Sequence, residues 1–355
     1  MDVIGEHSEL VVDPRSKPRA RRPVVLGVLS AEERRLFLEP GRQPLPALPA
    51  ELVWAGEESS PRSASFYRHV APEVLLTGWS TGSLPREWLD SPDCSLRYVC
   101  HLAGSVRRFL PRSFIERGGW VTNWGNIPSG AVAEHALLLA LAALRNLAAW
   151  PQIIRQAGAA GSHIERLHTR TLFRRRVGLH GFGRVARALV PLLRPFAVEI
   201  QAYSAGVPAD HFRAAGIGEA RSLRELFATS EIIFECEAWT PATTGCVSSE
   251  VLAALPREAI FVNVGRGQVV DEAALLREAA SGRIRVALDV VESEPLVPTS
   301  AFCQLPGAVL SPHIGGPTID QYPRCGEHAW RNIARFLEGE TLKFTVSLAD
   351  YDRAT

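Results

Sequence analysis

"VGLHGFGRVARALVPLLRPFAVEIQAYS", residues 177–204, decides how this chain is read. An apolar strand-like run, VGLH, meets a turn in which Gly181 and Gly183 are followed by Ala186, and the turn opens a helix. The first glycine permits a tight turn, the second lets backbone approach a pyrophosphate, and the small third residue allows close helix–strand packing. The helix start then offers unbonded N–H groups and the positive end of its dipole to the phosphates. A second strand, VEIQAYS, ends at Ser204, 18 residues after Ala186. Dinucleotide folds place an acid near this point to meet the ribose hydroxyl. Here the residue is a neutral serine, so NAD and the 2′-phosphorylated NADP are both candidate cofactors.

Working outward, strands alternate with helices. From residue 176 the strands read RVGLHG, VEIQAYS, EIIFECEA, AIFVNVG, RVALDVV and AVLSPH. Between them lie segments such as SSEVLAALP and DEAALLREAASG, the second predicted to cap on Gly282. Six buried strands separated by helices predict a doubly wound parallel sheet. Upstream, strand-like runs at 23–29, 73–79, 96–104 and 120–124 predict a second sheet. The segment SGAVAEHALLLALAALRNL predicts a helix over 129–147, apolar on most sides and therefore buried, in part against another subunit. The amphipathic EHAWRNIARFLEGE lies beyond the last strand and can return to the first sheet. Residues 1–22 are polar, basic and proline-interrupted, which predicts a mobile tail.

Bulk composition narrows the function classes. At 355 residues the chain exceeds one typical core, and 46% hydrophobic with 22% charged content describes an ordinary globular protein. A net charge of +1 gives no general attraction to nucleic acid or anionic membrane, so neither is expected as a partner. The longest apolar run, ALLLALAAL at 136–144, is about half a membrane span. With no signal-peptide pattern and six scattered cysteines lacking a C-x-x-C pair, a cytoplasmic, reducing location without a structural metal is expected. Lysine occurs only at Lys17 and Lys343, which removes P-loop, Schiff-base and Tyr-x-x-x-Lys chemistry from the body of the chain.

Ligands of open α/β sheets bind beyond the carboxyl ends of the strands. Three such ends carry ionisable side chains: Arg266 after AIFVNVG, Glu294 after VALDVV, and His313 in AVLSPHIGG. Together they suit hydride exchange between a nicotinamide and a 2-hydroxy or 2-keto acid. Histidine can exchange the proton, a neighbouring carboxylate fixes its tautomer and favours imidazolium, and arginine grips the substrate carboxylate with a planar fork. Singly, each also reads as a salt-bridge partner, a loop charge or a core histidine.

The blocks FVNVGRGQVVDEAALLREAASGRI, ALDVVESEPL and LSPHIGG resemble the signatures of the D-isomer-specific 2-hydroxyacid dehydrogenases, and AVAEHALLLALAALRN resembles that family's linker helix. The resemblance spans about residues 74–337. It implies a Rossmann dinucleotide-binding domain (129–316, with linker helix 129–147) inserted into a discontinuous flavodoxin-like substrate domain (23–128 and 317–355). It implies His313 as acid/base, Glu294 as its partner and Arg266 on the substrate. The implied cofactor contacts are Phe182, Arg184, Val185, Val264, Gly265, Gly315 and Gly316, beside Gly181 and Gly183 of the turn and Ser204 at the second strand end, with Asp289 at the nicotinamide carboxamide. Backbone N–H groups of Ala103, Gly104 and Ser105 would hold the substrate carboxylate, while Trp79, in a loop that follows a first-sheet strand, either walls the substrate pocket or packs in the core. It also implies a homodimer through the linker-helix region. The activity implied is interconversion of a small 2-keto acid and its D-2-hydroxy acid with NAD. A non-enzymatic NAD(H)-sensing protein, like the corepressors that resemble this family, is the alternative.

Three departures stand out. Ser204 replaces the usual acid, yet no arginine follows until Arg213, nine positions on. The strand EIIFECEAW carries Glu235 and Glu237 where relatives are apolar or small. Glu237 is a candidate to take over the ribose contact and keep NAD preferred; alternatively both acids are surface charges on a sheet edge. In CHLAGSVRRFL, Arg107 and Arg108 are either substrate contacts or solvated charges.

Overall fold

A computed structural model describes residues 22–39, 45–56, 62–157 and 167–353. Apart from residue 22, the expected mobile tail lies outside the described residues. Two all-parallel sheets organise the chain. The first joins β1 (Val24–Val28), β2 (Glu51–Trp54), β3 (Val74–Thr77), β4 (Tyr98–His101) and β5 (Trp120–Thr122) in the order β2-β1-β3-β4-β5. This is the flavodoxin-like order.

The second sheet joins β6 (Arg176–His180), β7 (Glu199–Tyr203), β8 (Gly218–Glu219), β9 (Ile232–Glu235), β10 (Ile260–Asn263), β11 (Arg285–Leu288) and β12 (Val309–Leu310). Its order is β12-β11-β10-β9-β6-β7-β8, the Rossmann pattern, in which strand order reverses beside β6. The structure therefore adds β2 to the first sheet and the two-residue β8 to the second, neither of which carries an apolar run long enough to read as a strand.

Each sheet is covered on both faces, as parallel sheets require. The helix Tyr322–Glu338 returns to the five-stranded sheet, where Cys325, Ala329, Trp330 and Ile333 pack with Val25, Val74, Leu76 and Tyr98. Gly326 is needed there, because a Cβ would lie 1.8 Å from the Phe37 carbonyl oxygen. On the second sheet, the helices Ser129–Leu144 and Arg184–Leu193 bury Ala133, Ala136, Ala140, Ala186 and Leu189 with Val177, Leu179 and Val262. The apolar helix ends three residues earlier than its sequence predicts, at Leu144. Asn146 adopts a left-handed conformation (φ 52°), and Trp150 turns back so that its indole N–H donates to the Arg145 carbonyl at 2.9 Å. The helix Glu272–Ala280 starts on Asp271, whose side chain accepts the Ala274 N–H. It caps at Ser281, with Gly282 (φ 71°) one position beyond. Among the described residues no single helix is long and apolar enough to cross a membrane.

Candidate active site

The glycine turn has the geometry its sequence demands. Gly181 has φ 84°, and a Cβ there would lie 2.6 Å from the backbone N and Cα of Glu237, so both conformation and space exclude a side chain. Gly183 caps the helix Arg184–Leu193 without a side chain, and a Cβ there would meet no protein atom within 4 Å. Packing does not require that glycine; open backbone in front of a helix N-terminus does fit a pyrophosphate. Two neighbours of the turn also serve packing and tethering. The Phe182 ring is buried, 5.1 Å from Phe212, so only its backbone faces the turn. The Arg184 guanidinium donates to the Gly125 carbonyl at 3.1 Å, tying the turn to the loop after β5. Val185 is half-buried on the same helix.

Beside the turn, β9 lies between β10 and β6, so its acids are not on a sheet edge. Glu235 is fully buried and pairs with His180, its register partner on β6, at 2.5 Å. Burial alone would lower the His180 imidazole, but the Glu235 charge overrides it and holds the group up at about 10. The second Glu235 oxygen accepts the Glu237 N–H at 2.8 Å. Glu237 in turn accepts the Ser204 hydroxyl at 2.9 Å, which joins the ends of β9 and β7 across the glycine turn. The His180–Glu235 pairing escaped sequence reading; its only trace is a polar residue at the carboxyl end of each of two apolar strands.

Three neighbouring strand ends carry the ionisable groups. His313 Nδ1 and Glu294 Oε2 are 2.6 Å apart, and the carboxylate, having no proton to give, fixes Nδ1 as the donor. Nε2 makes no hydrogen bond among the described residues, and the His313 side chain is 46% exposed. Its backbone takes a left-handed conformation (φ 55°), a strain of about 1–3 kcal/mol that must be held by surrounding contacts. Asp289 supplies them. Its carbonyl accepts the His313 N–H at 2.9 Å, Oδ1 accepts Ser311 Oγ–H and the Ile314 N–H, and Oδ2 accepts the Gly315 N–H. His135, on the apolar helix, lies 2.9 Å from Ser311 Oγ and 3.2 Å from Asp289 Oδ1. Burial alone would raise the Asp289 carboxyl, but these donors hold it at about 2. Asp289 is thus a clamp on the histidine loop as well as a candidate carboxamide contact, with Oδ2 retaining room for one more donor. Gly315 is required, since a Cβ would sit 2.8 Å from Asp289 Oδ2, while Gly316 is unconstrained by packing.

Arg266 follows β10. Asn263, not singled out from sequence, shapes its loop by accepting the Gly265 N–H at 3.0 Å and donating to the Arg266 carbonyl at 3.3 Å. Val264 is buried, and Gly265 lies against the Glu237 carbonyl, 3.0 Å from where a Cβ would stand. Burial lowers the Arg266 guanidinium, with the Glu294 and Asp289 charges opposing. The three ionisable residues therefore share one electrostatic neighbourhood.

The loop after β4 of the first sheet is tied to the glycine turn. The N–H groups of Ala103, Gly104 and Ser105 donate to no protein acceptor among the described residues. Such a row suits a carboxylate. Asn123 donates to the Gly104 carbonyl at 2.7 Å and accepts the Gly125 N–H at 2.9 Å. Gly125 in turn receives Arg184, so one short loop ties the N–H row to the glycine turn. Trp79 is 51% exposed and edge-on to Trp124 (6.2 Å) and Tyr322 (5.8 Å). Its loop is pinned by buried Glu33, which accepts the Ser80 N–H at 2.9 Å while completing a capping box with Ser30. Arg107 donates at 3.4 Å to the Asp352 carbonyl and is exposed, which matches a surface charge.

The same architecture occurs in known proteins. Residues 137–315 match the model of the D-isomer specific 2-hydroxyacid dehydrogenase NAD binding domain. A glyoxylate reductase of Thermococcus kodakarensis is 30% identical over 294 residues, covering 81% of this chain and 87% of that one. A D-3-phosphoglycerate dehydrogenase of Mycobacterium tuberculosis is 33% identical over 235 residues, 65% of this chain and 43% of the other. The structure of an NADPH-dependent glyoxylate/hydroxypyruvate reductase from Sinorhizobium meliloti superposes with a TM-score of 0.72 at 26% identity, covering 94% of this chain and all of that one. The chain belongs to the D-isomer specific 2-hydroxyacid dehydrogenases, an enzyme family with a nicotinamide cofactor, and its seven-stranded sheet is the NAD-binding domain.

Proposed function

We propose that this protein reduces a small 2-keto acid to its D-2-hydroxy acid, with His313 as the proton donor, Glu294 as its orienting partner and Arg266 as the substrate grip. The observation that carries the reading is the 2.6 Å His313–Glu294 pair with the outer ring nitrogen exposed, beside a guanidinium that senses both Glu294 and Asp289. Bound NADH supplies the hydride. In the direction of reduction, His313 gives the Nε2 proton to the substrate carbonyl oxygen as the C–H bond forms, and Glu294 holds the ring by accepting its Nδ1–H. Arg266 pairs with the substrate carboxylate and polarises the adjacent carbonyl. The unbonded N–H groups of residues 103–105 hold the same carboxylate. Oxidation runs the same transfers in reverse, with neutral His313 accepting the hydroxyl proton.

The substrates carried by the relatives' names, glyoxylate, hydroxypyruvate and phosphoglycerate, define the class to test. The assay is NADH oxidation over glyoxylate, hydroxypyruvate, pyruvate, 2-ketoisocaproate and phenylpyruvate. On an active substrate, His313→Asn should lower kcat by about 10²–10⁴-fold while leaving the NADH Kd within about twofold. Wild-type rates in that variant would remove His313 from proton transfer, and NADH binding with no turnover on any acid would favour the sensing alternative.

A further inference from the structure

We propose that Glu237, reaching over the glycine turn to Ser204, takes the adenosine-ribose hydroxyls in place of the missing second-strand acid and excludes a 2′-phosphate, making the enzyme selective for NAD(H). The proposal rests on the dinucleotide reading of the turn and adds the residue that chooses between its two cofactors.

Position is the first argument. Glu237 follows β9, and the Cys236 N–H donates to the His180 carbonyl at 2.8 Å, which holds the segment against the end of β6. The absent Cβ of Gly181 would fall 2.6 Å from Glu237 N and Cα. Glu237 backbone therefore touches the turn that would cradle the pyrophosphate. Its side chain reaches the end of β7, where Oε2 accepts the Ser204 hydroxyl at 2.9 Å. A dinucleotide fold presents its ribose-binding acid at that strand end. The charge has moved from one strand to another while its carboxylate comes to the same end of the sheet.

Capacity is the second argument. A carboxylate offers about four acceptor positions. Glu237 uses one for Ser204 and one, on Oε1, for the Ala238 N–H at 2.9 Å. Two remain for a pair of vicinal hydroxyls. Buried Glu235 fixes the residue from behind by accepting the Glu237 N–H at 2.8 Å, and is itself pinned by His180.

Charge is the third. A 2′-phosphate brings up to two negative charges and needs a cation beside it. The nearby arginines are poorly set for this. Arg213 is committed to Asp210, and Arg187 is 2.7 Å from His211 Nδ1. Arg221 lines a cavity of about 300 Å³ with Ser204 and Gly206, but Glu219 lines it too. That cavity holds one cation and one anion, with Glu237 adding a second negative group at its Ser204 side.

The test is direct titration of wild type, Glu237→Gln and Ser204→Ala with NADH and with NADPH, by calorimetry, with a thermal melt of each ligand-free protein. Wild type should bind NADH at least about tenfold more tightly than NADPH, the size of one charge-assisted hydrogen bond. Glu237→Gln should weaken NADH about five- to tenfold and bring the two constants within about threefold of each other. Ser204→Ala keeps the charge, so it should keep the selectivity and give a readout even if the glutamine variant melts early. Equal wild-type affinities, Glu237→Gln constants that are unchanged or weakened by one common factor, or loss of selectivity in Ser204→Ala alone would each overturn the assignment. Wild-type protein that binds neither dinucleotide would instead overturn the reading of the turn itself.

Discussion

Replacing the buried His180–Glu235 pair, first one residue at a time and then together, probes how the ribose end of the site is built. Both side chains are essentially inaccessible, 2% and 0% exposed, and they meet at 2.5 Å on adjacent strands. Removing one partner of such a pair leaves a polar or charged group stranded in low dielectric, at about 3–5 kcal/mol. His180→Leu should therefore destabilise by that amount, since Glu235 would keep only the Glu237 N–H as a donor. Replacing both partners by apolar residues of similar volume is commonly neutral or stabilising by about 1–4 kcal/mol. Here the double change also orphans the Glu237 N–H, at about 1–3 kcal/mol. The two terms nearly cancel, so the double variant should lie within about 2 kcal/mol of wild type, and the pair should show a coupling of at least about 2 kcal/mol in the cycle.

The measurement is urea unfolding with hydrogen exchange of the β6 and β9 amides, which reads the seven-stranded sheet separately from the other half. The pH dependence gives an independent check. His180 is held at about 10 in the folded protein, above the ordinary value of 6.5. Its contribution is therefore fully present below about pH 6.5 and is lost as pH rises through about 10. Wild type should lose stability over that window relative to the apolar double variant. Additive single effects, or wild-type and double-variant curves that stay parallel from pH 6.5 to 10, would refute the ion-pair account.

The remaining predictions are shorter. Asp289→Asn should lower kcat by loosening the His313 loop, because an amide N–H₂ cannot accept the donors that now converge on both oxygens. The wild-type carboxyl sits at about 2 against an ordinary 3.8, so its contribution of about 2 kcal/mol is present above about pH 4 and lost as pH falls toward 2; acid unfolding of the asparagine variant should lack that component, and identical acid curves would refute the clamp. Leu138, Leu147, Trp150 and Ile154 are 40–59% exposed along and beyond the apolar helix, which supports the proposed homodimer through this region. Light scattering should give twice the chain mass for wild type and a monomer for Ile154→Asp; a monomeric wild type at micromolar concentration would remove the interface.

What was legible in the sequence followed local rules. The glycine turn could be read because Gly181 and Gly183 answer to backbone conformation and access, which depend on a few adjacent residues. Arg266, Glu294 and His313 could be read because strand ends in a parallel sheet all point to one side. Sheet order, by contrast, is not written locally. His180 and Glu235 are 55 residues apart and meet only because β9, not the next strand in the chain, lies beside β6. His135 reaches Asp289 from a helix read only as apolar. The short β2 and β8 escaped because their burial is slight and their ladders depend on a neighbour already in place.

That distinction bears on how the histidine of this site is chosen. Among the described residues three histidine–carboxylate pairs occur: His180–Glu235, His135–Asp289 and His313–Glu294. Residue type and distance alone do not separate them. Exposure and free valence do. His180 is 3% exposed at the side chain, with its ring held against Glu235 at 2.5 Å. His135 is 14% exposed and spends its outer nitrogen on Ser311 and Asp289. His180 is sealed from solvent, and His135 could meet a ligand through Nε2 only by giving up a bond that holds the His313 loop. His313 alone presents an exposed ring whose outer nitrogen is unbonded among the described residues, with its inner nitrogen fixed. The first two pairs thus fasten the structure, one behind Glu237 and one behind the His313 loop, and the contrast supports the proposed proton-transfer role of the third.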